Sequence, residues 1–394
     1  MRTLKICIVT ARFPPFIGGV EIFAHELARG LANKGFKVEV HTSTNQDAPR
    51  IQYHDRMKVI RHKTLFEFFR APINPAISMA VIKQIDMDIV HVVSSYPGIS
   101  DFAAFLGRLV KKPVVLTHQF DLKSDYSSLL GKVLEVFYLL ICYRLLAGCS
   151  KVIVATTKSY SENSSLLKRV PRKVVVIPNG VNTQRFRPDV DGKWVRAILN
   201  LPKDAKVILF VGRLVPFKGL EYLIKSISIL LNNCMDVFLV IVGDGELRHK
   251  LVQLTQKLRV EGNVIFTGEV PHTLLPEYYA ASDIFVLPSV SSPESFGIVL
   301  VEAMASGKPV ISTDIPGPRE VVLDGRTGLR VPPADSMRLA SAIKMLLDND
   351  KLRREMGCNG RLLAQNKYDW KKIVDQYILL YSSVLARQSN KTSS

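Results

Sequence analysis

A chain of 394 residues is longer than one hydrophobic core usually serves, so two domains are the starting expectation. With 47% hydrophobic and 22% charged residues it is a globular protein, not a disordered or collagen-like one. Its net charge of +18 is placed unevenly, +13 over residues 1–185 and +5 over 186–394, which favours an anionic partner such as acidic lipid, a phosphorylated substrate or nucleic acid.

From the N-terminus, "MRTLKICIVT" enters a strand without the pattern of a secretory signal, so a cytoplasmic location is expected. The five cysteines are scattered, with no CxxC pair and no histidine cluster at zinc spacing, which suggests a reducing compartment and no structural metal. After the first strand, "RFPPFIGGVE" opens a helix. Gly18 and Gly19 there could bring backbone N–H groups up to a phosphate, or simply make a tight turn.

Strands continue at "FKVEVHTS", "DIVHVVS", "PVVLTHQ", "KVIVATT" and "KVVVIPNG". Runs this apolar imply burial on both faces, as in a parallel sheet crossed by helices. Between the first and second of these runs, residues 50–70 set Arg56, Lys58, Arg61, Lys63 and Arg70 among Leu65, Phe66, Phe68 and Phe69. That mixture suits an anionic membrane surface, while a loop or a strand pair serves it equally well. Asp86 and Asp88 form a DxD, but at the start of a strand, where it is incidental rather than a metal site. The apolar stretch 129–149 approaches the length of a membrane span but carries Lys132, Glu135 and Arg144, so a buried or interfacial helix is expected.

A polar, proline-containing stretch near Arg185–Lys206 separates a second series of strands: "KVILFVGR", "DVFLVIVGDG", "NVIFTGEV", "DIFVLPS" and "PVISTDI". Ligands of such sheets bind beyond the carboxyl ends of the strands. There stand Gly212, Arg213, Lys218 and Gly219, two cations suited to a diphosphate whose charge grows as a bond to it breaks. The turn "IVGDGE" serves to launch the next helix. In "ESFGIVLVE", Glu294 lies in a loop and Glu302 in the following helix, with N–H groups near Phe296, Gly297 and Ile298 at the helix start. Two carboxylates flanking an anion site match a sugar nucleotide, with hydroxyls at both ends and phosphates between, while a capping glutamate and a helix-surface glutamate are the plain alternative and, for this segment alone, the favoured one.

These motifs together resemble a retaining glycosyltransferase of the GT-B fold, glycosyltransferase family 4, over nearly the whole chain. The matching pieces are "PPFIGGVE", "THQFD", "VIPNGV", "GRLVPFKG", "VGDGE", "ESFGIVLVE", "EAMASGKPVI" and the late "YDW". The resemblance implies an α/β protein of two Rossmann-like, doubly wound domains facing across a cleft. Their expected bounds are 1–185 for the acceptor domain and 186–368 for the nucleotide-sugar donor domain, with 369–394 a final helix crossing back and a polar tail.

By the same resemblance Arg213 and Lys218 bind the donor diphosphate, Glu302 the ribose and Glu294 the transferred sugar. Backbone at Gly18, Gly19, Phe296, Gly297 and Ile298 helps to hold phosphate and sugar. His118 corresponds to a histidine near the reacting centre, although a strand-end core histidine is the plain alternative. The family commonly has Asp directly after it, whereas here Gln119 intervenes and Asp121 follows, which leaves the partner of His118 open.

The expected reaction moves a hexose-type sugar from a UDP- or GDP-sugar to a lipid-linked, phosphorylated or glycan acceptor, with retention and without a metal or other cofactor. A catalytically inactive nucleotide-sugar-binding subunit, a phosphorylase and a sugar-nucleotide epimerase are the alternatives. Nucleic acid is not an expected partner, since no module for it is present.

Overall fold

In the first strand, β1 (Lys5–Thr10), Ile6 to Thr10 are all buried, as a strand without polar alternation must be when both its faces are covered. Ile6 and Ile8 enter one apolar cluster and Cys7 and Val9 another, so the two faces of the sheet are the two sides of the core. The structure, a computed structural model, describes residues 3–16, 18–44, 49–64, 66–68, 71–73, 77, 86–94, 99–121, 143–233, 235–291 and 293–392.

The chain divides into two units, Met1–Asn179 with Trp370–Ser394, and Gly180–Asp369. Both boundaries differ from those expected at residues 185 and 368, for a local reason. Val181 bridges to Asp369 and donates its N–H to the Tyr368 carbonyl at 2.7 Å, and Val181 and Phe186 pack in the core of the second unit.

Among the described residues the first unit has ten strands, eight of them in one sheet. After β1 come β2 (Lys37–Thr44), β3 (Ile51–His54), β4 (Met57–Lys63), β5 (Phe66–Phe68), β6 (Ala71–Ile73), β7 (Ile89–Ser94), β8 (Val114–His118), β9 (Val152–Ala155) and β10 (Val174–Val176). The large sheet has the order β10-β9-β8-β7-β1-β2-β4-β3, parallel except for the β3–β4 pair, and β5–β6 form a separate ribbon. One face is covered by helix Gly19–Asn33 and helix Trp370–Thr392. Phe23, Leu27 and Leu31 of the former meet Trp370, Ile373, Val374, Tyr377 and Tyr381 of the latter in one cluster. These helices approach closely at Gly30, where a Cβ would lie 2.3 Å from Val374 Cγ2.

The polar side of the same interface is a closed network. His91 Nδ1 lies 2.5 Å from the Tyr381 hydroxyl and Nε2 lies 2.8 Å from Thr117 Oγ1, which is 3.0 Å from the Tyr377 hydroxyl. Burial pushes the His91 imidazole down to about 3, so it is neutral at ordinary pH.

The cationic segment 50–70 proves to be largely a hairpin, β3–β4, turning at Asp55 and Arg56 with φ of 46° and 63°. Two of its cations are engaged within the protein. Lys58 pairs with Glu39 at 3.2 Å, and Arg61, 7% exposed, donates to the Pro14 carbonyl and to Gln52, both at 2.8 Å. Leu65, Phe69 and Arg70 lie outside the described residues. Asp86 and Asp88 both meet Lys5, Asp88 accepting from its backbone N–H at 2.9 Å and Asp86 lying 3.8 Å from its ammonium, which accounts for the DxD. Of the apolar stretch 129–149, only helix Tyr143–Cys149 lies within the described residues. Among the described residues, no helix is long and apolar enough to cross a membrane.

The second unit carries β11 (Lys206–Val211), β12 (Val237–Val242), β13 (Val264–Gly268), β14 (Ile284–Leu287), β15 (Val310–Thr313) and β16 (Gly328–Val331) in the order β13-β12-β11-β14-β15-β16, all parallel. The order reverses between β11 and β14. In a doubly wound sheet the carboxyl ends of the two strands at such a switch point are the default ligand position.

Candidate functional site

The loops leaving β11 and β14 carry the charged residues singled out in the sequence. After β11 the chain runs through Gly212 and Arg213 to a short turn at Pro216–Lys218 and then helix Leu220–Asn232. After β14 it runs through Ser289 and Glu294 to helix Ile298–Ala305. The two loops are tied by the Val290 N–H, which donates to the Phe217 carbonyl at 2.8 Å. Beside that tie the Lys218 ammonium donates to Glu294 Oε2, and Ser289 Oγ donates to the same oxygen at 3.0 Å.

The Lys218 and Glu294 side chains are only 13% and 11% exposed, so their attraction is weakly screened. Glu294 Oε1 makes no hydrogen bond among the described residues, and the ammonium retains further N–H groups. Both charges therefore keep bonding capacity for a ligand. Arg213 is exposed, and its guanidinium makes no hydrogen bond or ion pair among the described residues. The loop after β11 thus carries Arg213 and the ion-paired Lys218.

Helix Ile298–Ala305 begins behind Gly297, whose φ of 82° is left-handed. A Cβ there would also stand 2.8 Å from Leu300 Cδ1 and 2.9 Å from Leu287 Cδ2. Phe296, 1% exposed, packs edge-on to Tyr368 at 5.7 Å and anchors the turn, so that the first N–H groups of the helix, from Ile298 onward, project from a rigid base. Glu302 lies in the second turn, 3% exposed, with Oε1 3.2 Å from His272 Nε2 and Oε2 accepting from the Tyr279 hydroxyl at 2.9 Å. Burial, and then the Glu302 charge and hydrogen bond, push the Tyr279 phenol well up, so it stays a donor.

His272 and Tyr279 were not found in the sequence. His272 belongs to the turn after β13 and Tyr279 to helix Leu275–Ala281. The available signal was a histidine shortly after a strand end.

The "IVGDGE" segment serves as a turn. Asp244 accepts from the Gly245 N–H at 2.7 Å, and its carbonyl accepts from the Leu214 N–H at 2.9 Å, which braces the Arg213 loop.

His118, Gly18 and Gly19 belong to the first unit. His118 ends β8 with no exposure, stacked on Tyr160 with centroids 6.1 Å apart. Its partner is Asp121, with Oδ1 3.0 Å from Nε2. Ser164 Oγ and the Ser165 N–H also donate to the Asp121 carboxylate, each at 2.7 Å. Burial alone would raise Asp121, but the His118 hydrogen bond and charge, with the two serine bonds, outweigh it and hold the carboxyl below its usual value. The question that Gln119 left open is answered three residues after the histidine. Gln119 itself exchanges amide hydrogen bonds with Asn179 at 3.2 and 3.1 Å. Gly18 caps helix Gly19–Asn33, and a Cβ on it would come within 2.4 Å of Glu21 Oε2. The Glu21 carboxylate thus lies beside that helix end and competes there with any phosphate.

Two comparisons with known proteins decide the family. Residues 17–185 match Glycosyltransferase Family 4 and residues 193–363 match Glycosyl transferases group 1. An uncharacterized glycosyltransferase of Methanocaldococcus jannaschii is 30% identical over 400 residues, covering 96% of this chain and 98% of its own. The chain belongs to glycosyltransferase family 4.

Among other members, a phosphatidyl-myo-inositol mannosyltransferase of Mycobacterium leprae is 29% identical, covering 98% of this chain and 97% of its own. A D-inositol 3-phosphate glycosyltransferase of Acidothermus cellulolyticus is 30% identical over 94% and 87%. Of solved structures, HepE of Anabaena in complex with UDP-glucose has a TM-score of 0.79 at 21% identity, covering 96% of this chain and all of that one. A sucrose-phosphate synthase of Thermosynechococcus elongatus has 0.78 at 24%, covering 98% of this chain and all of that one. These neighbours share the GT-B fold, two Rossmann-like α/β sheets, and this chain is a glycosyltransferase of that fold.

Proposed function

We propose that the chain moves a hexose-type sugar from a nucleotide diphosphate sugar to a lipid-linked or glycan acceptor with retention of anomeric configuration. The observation that carries this reading is the Lys218–Glu294 pair at the β11/β14 switch point, with Glu294 Oε1 and the Arg213 guanidinium left to take a ligand.

Arg213 and Lys218 neutralise the donor diphosphate, whose negative charge grows as its bond to the sugar C1 breaks. Glu294 Oε1 accepts from sugar hydroxyls and fixes the ring, while the N-terminus of helix Ile298–Ala305 faces the phosphates. Glu302 accepts from the ribose through the lone pairs that His272 and Tyr279 leave over, which makes those two its positioning residues. The new bond forms between the acceptor oxygen and C1 on the face the diphosphate leaves, and the acceptor proton passes to the leaving diphosphate. With two cations and a helix end at the phosphates, transfer needs no metal. For His118 the support is the residue match and its Asp121 orienter.

The acceptor class draws on the relatives, which include an inositol-phosphate and a phosphatidylinositol glycosyltransferase. The excess of +13 over residues 1–185 suits a phosphorylated or lipid-linked acceptor and docking on an anionic membrane surface.

The test is nucleoside diphosphate release from UDP-, GDP- and ADP-sugars with and without a polar lipid extract, followed by proton NMR of the product. Release from one donor that depends on lipid, with the anomeric configuration of the donor preserved, is expected. Inversion at C1 contradicts retention, and nucleotide binding without release under any condition favours an inactive binding subunit.

A further inference from the structure

Among the described residues, one group of three metal-ligating side chains converges, and none of its members belongs to the candidate donor residues. The ligand atoms of His25, His54 and Asp55 all lie within 4.8 Å of one another. His25 projects from helix Gly19–Asn33, with its ring 5.6 Å from Phe13. His54 ends β3 and Asp55 begins the left-handed turn of the β3–β4 hairpin. Asp55 Oδ2 is 3.3 Å from His54 Nε2 and 3.9 Å from His25 Nε2.

Two imidazole nitrogens and one carboxylate make a donor set that Zn2+ accepts. Ligands about 2.0–2.1 Å from Zn2+ stand about 3.3–3.4 Å apart along a tetrahedral edge. The Asp55–His54 pair already has that spacing, and His25 needs only a small side-chain movement to reach it.

A second observation concerns the far side of His25. Its Nδ1 lies 3.5 Å from Glu26 Oε1, and Arg29 holds Glu26 Oε2 at 2.5 Å. A carboxylate on one ring nitrogen fixes the tautomer and presents the other nitrogen to a cation, the usual arrangement behind a metal-bound histidine. A hairpin ion pair would account for His54 beside Asp55. It would not account for a third ligand arriving from another element with its own orienting carboxylate.

We propose that His25, His54 and Asp55 form a Zn2+ site, with water completing the tetrahedron and Glu26 holding His25. The ion clamps helix Gly19–Asn33 to the β3–β4 hairpin within the first unit. The sequence suggested no structural metal because only closely spaced ligands announce themselves there, whereas His25 and His54 are brought together by the fold.

The experiment titrates Zn2+ into the untagged, chelator-treated full chain by calorimetry, with Mg2+ as control, and records thermal melts of the same samples. One Zn2+ per chain is expected, with no comparable Mg2+ binding. Affinity should fall at least about tenfold in His54→Ala and in His25→Ala, and by about tenfold at unchanged stoichiometry in Glu26→Gln. Zn2+ should also raise the melting temperature of the wild type and not of His54→Ala. His54 is exposed at a turn, so its variant carries the test even where His25→Ala folds poorly. Absence of Zn2+ binding by the wild type overturns the proposal, as does equal affinity in His54→Ala.

Discussion

The two units use the same strand order around their first strand, β4-β2-β1-β7-β8-β9 in one and β13-β12-β11-β14-β15-β16 in the other, yet the polar groups beyond their central strands are bonded differently. In the first unit, His91, Thr117, Tyr377 and Tyr381 are sealed in a closed hydrogen-bonded network, and Asp121 takes bonds from His118, Ser164 and Ser165. In the second, Lys218, Glu294 and Arg213 sit at the switch point with bonding capacity to spare. One frame thus yields polar groups that hold a core together and polar groups with bonding capacity that the proposed function assigns to a ligand. The difference lies in whether each donor and acceptor is matched within the protein.

The largest expected effect separates these roles. Replacing Lys218 or Glu294 by alanine should lower transfer by about 100-fold or more, since in the proposed function each carries a charge that meets the developing transition state. Circular dichroism should show the fold intact. Near-normal turnover in either variant would break the comparison at its functional end.

At the structural end, Gly30→Ala forces a methyl to within 2.3 Å of Val374 Cγ2, between the two helices that cover the first sheet. It should destabilise the first unit by about 1–3 kcal/mol, read as an earlier unfolding transition in denaturant while donor binding by the folded protein is unchanged.

A smaller, graded effect follows from acid. His91 is held down to about 3 and His62 to about 4, chiefly by burial, while their unfolded counterparts take up a proton near the ordinary histidine value. Between those limits the unfolded chain binds more protons, so stability is fully present above about pH 6.5 and falls as pH drops, by up to about 1.4 kcal/mol per pH unit for each histidine. Thermal melts from pH 7 to 4.5 should show the transition of the first unit moving down. A transition independent of pH would contradict the neutral His91 network.

Much of this was legible in the sequence because parallel strands buried on both faces appear as unbroken apolar runs. β16 was missed, since "GLRV" is short and broken by Arg330. The β3–β4 hairpin stayed open between alternatives because its turn is made by Asp55 and Arg56, without the glycine that usually marks left-handed φ. In the candidate site, Arg213, Lys218, Glu294 and Glu302 announced themselves by spacing. His272 and Tyr279 did not, because they reach Glu302 from a turn and a helix elsewhere in the chain. Asp121 as the partner of His118 depends on how the chain bends after β8, which no periodicity encodes.

The central claim is that the β11/β14 switch point holds the donor diphosphate, and calorimetric titration of UDP and GDP into the wild type and Lys218→Ala tests it most directly. The account predicts binding of one of the two nucleotides by the wild type and affinity at least about tenfold weaker in the variant. Equal affinity in both proteins would contradict it.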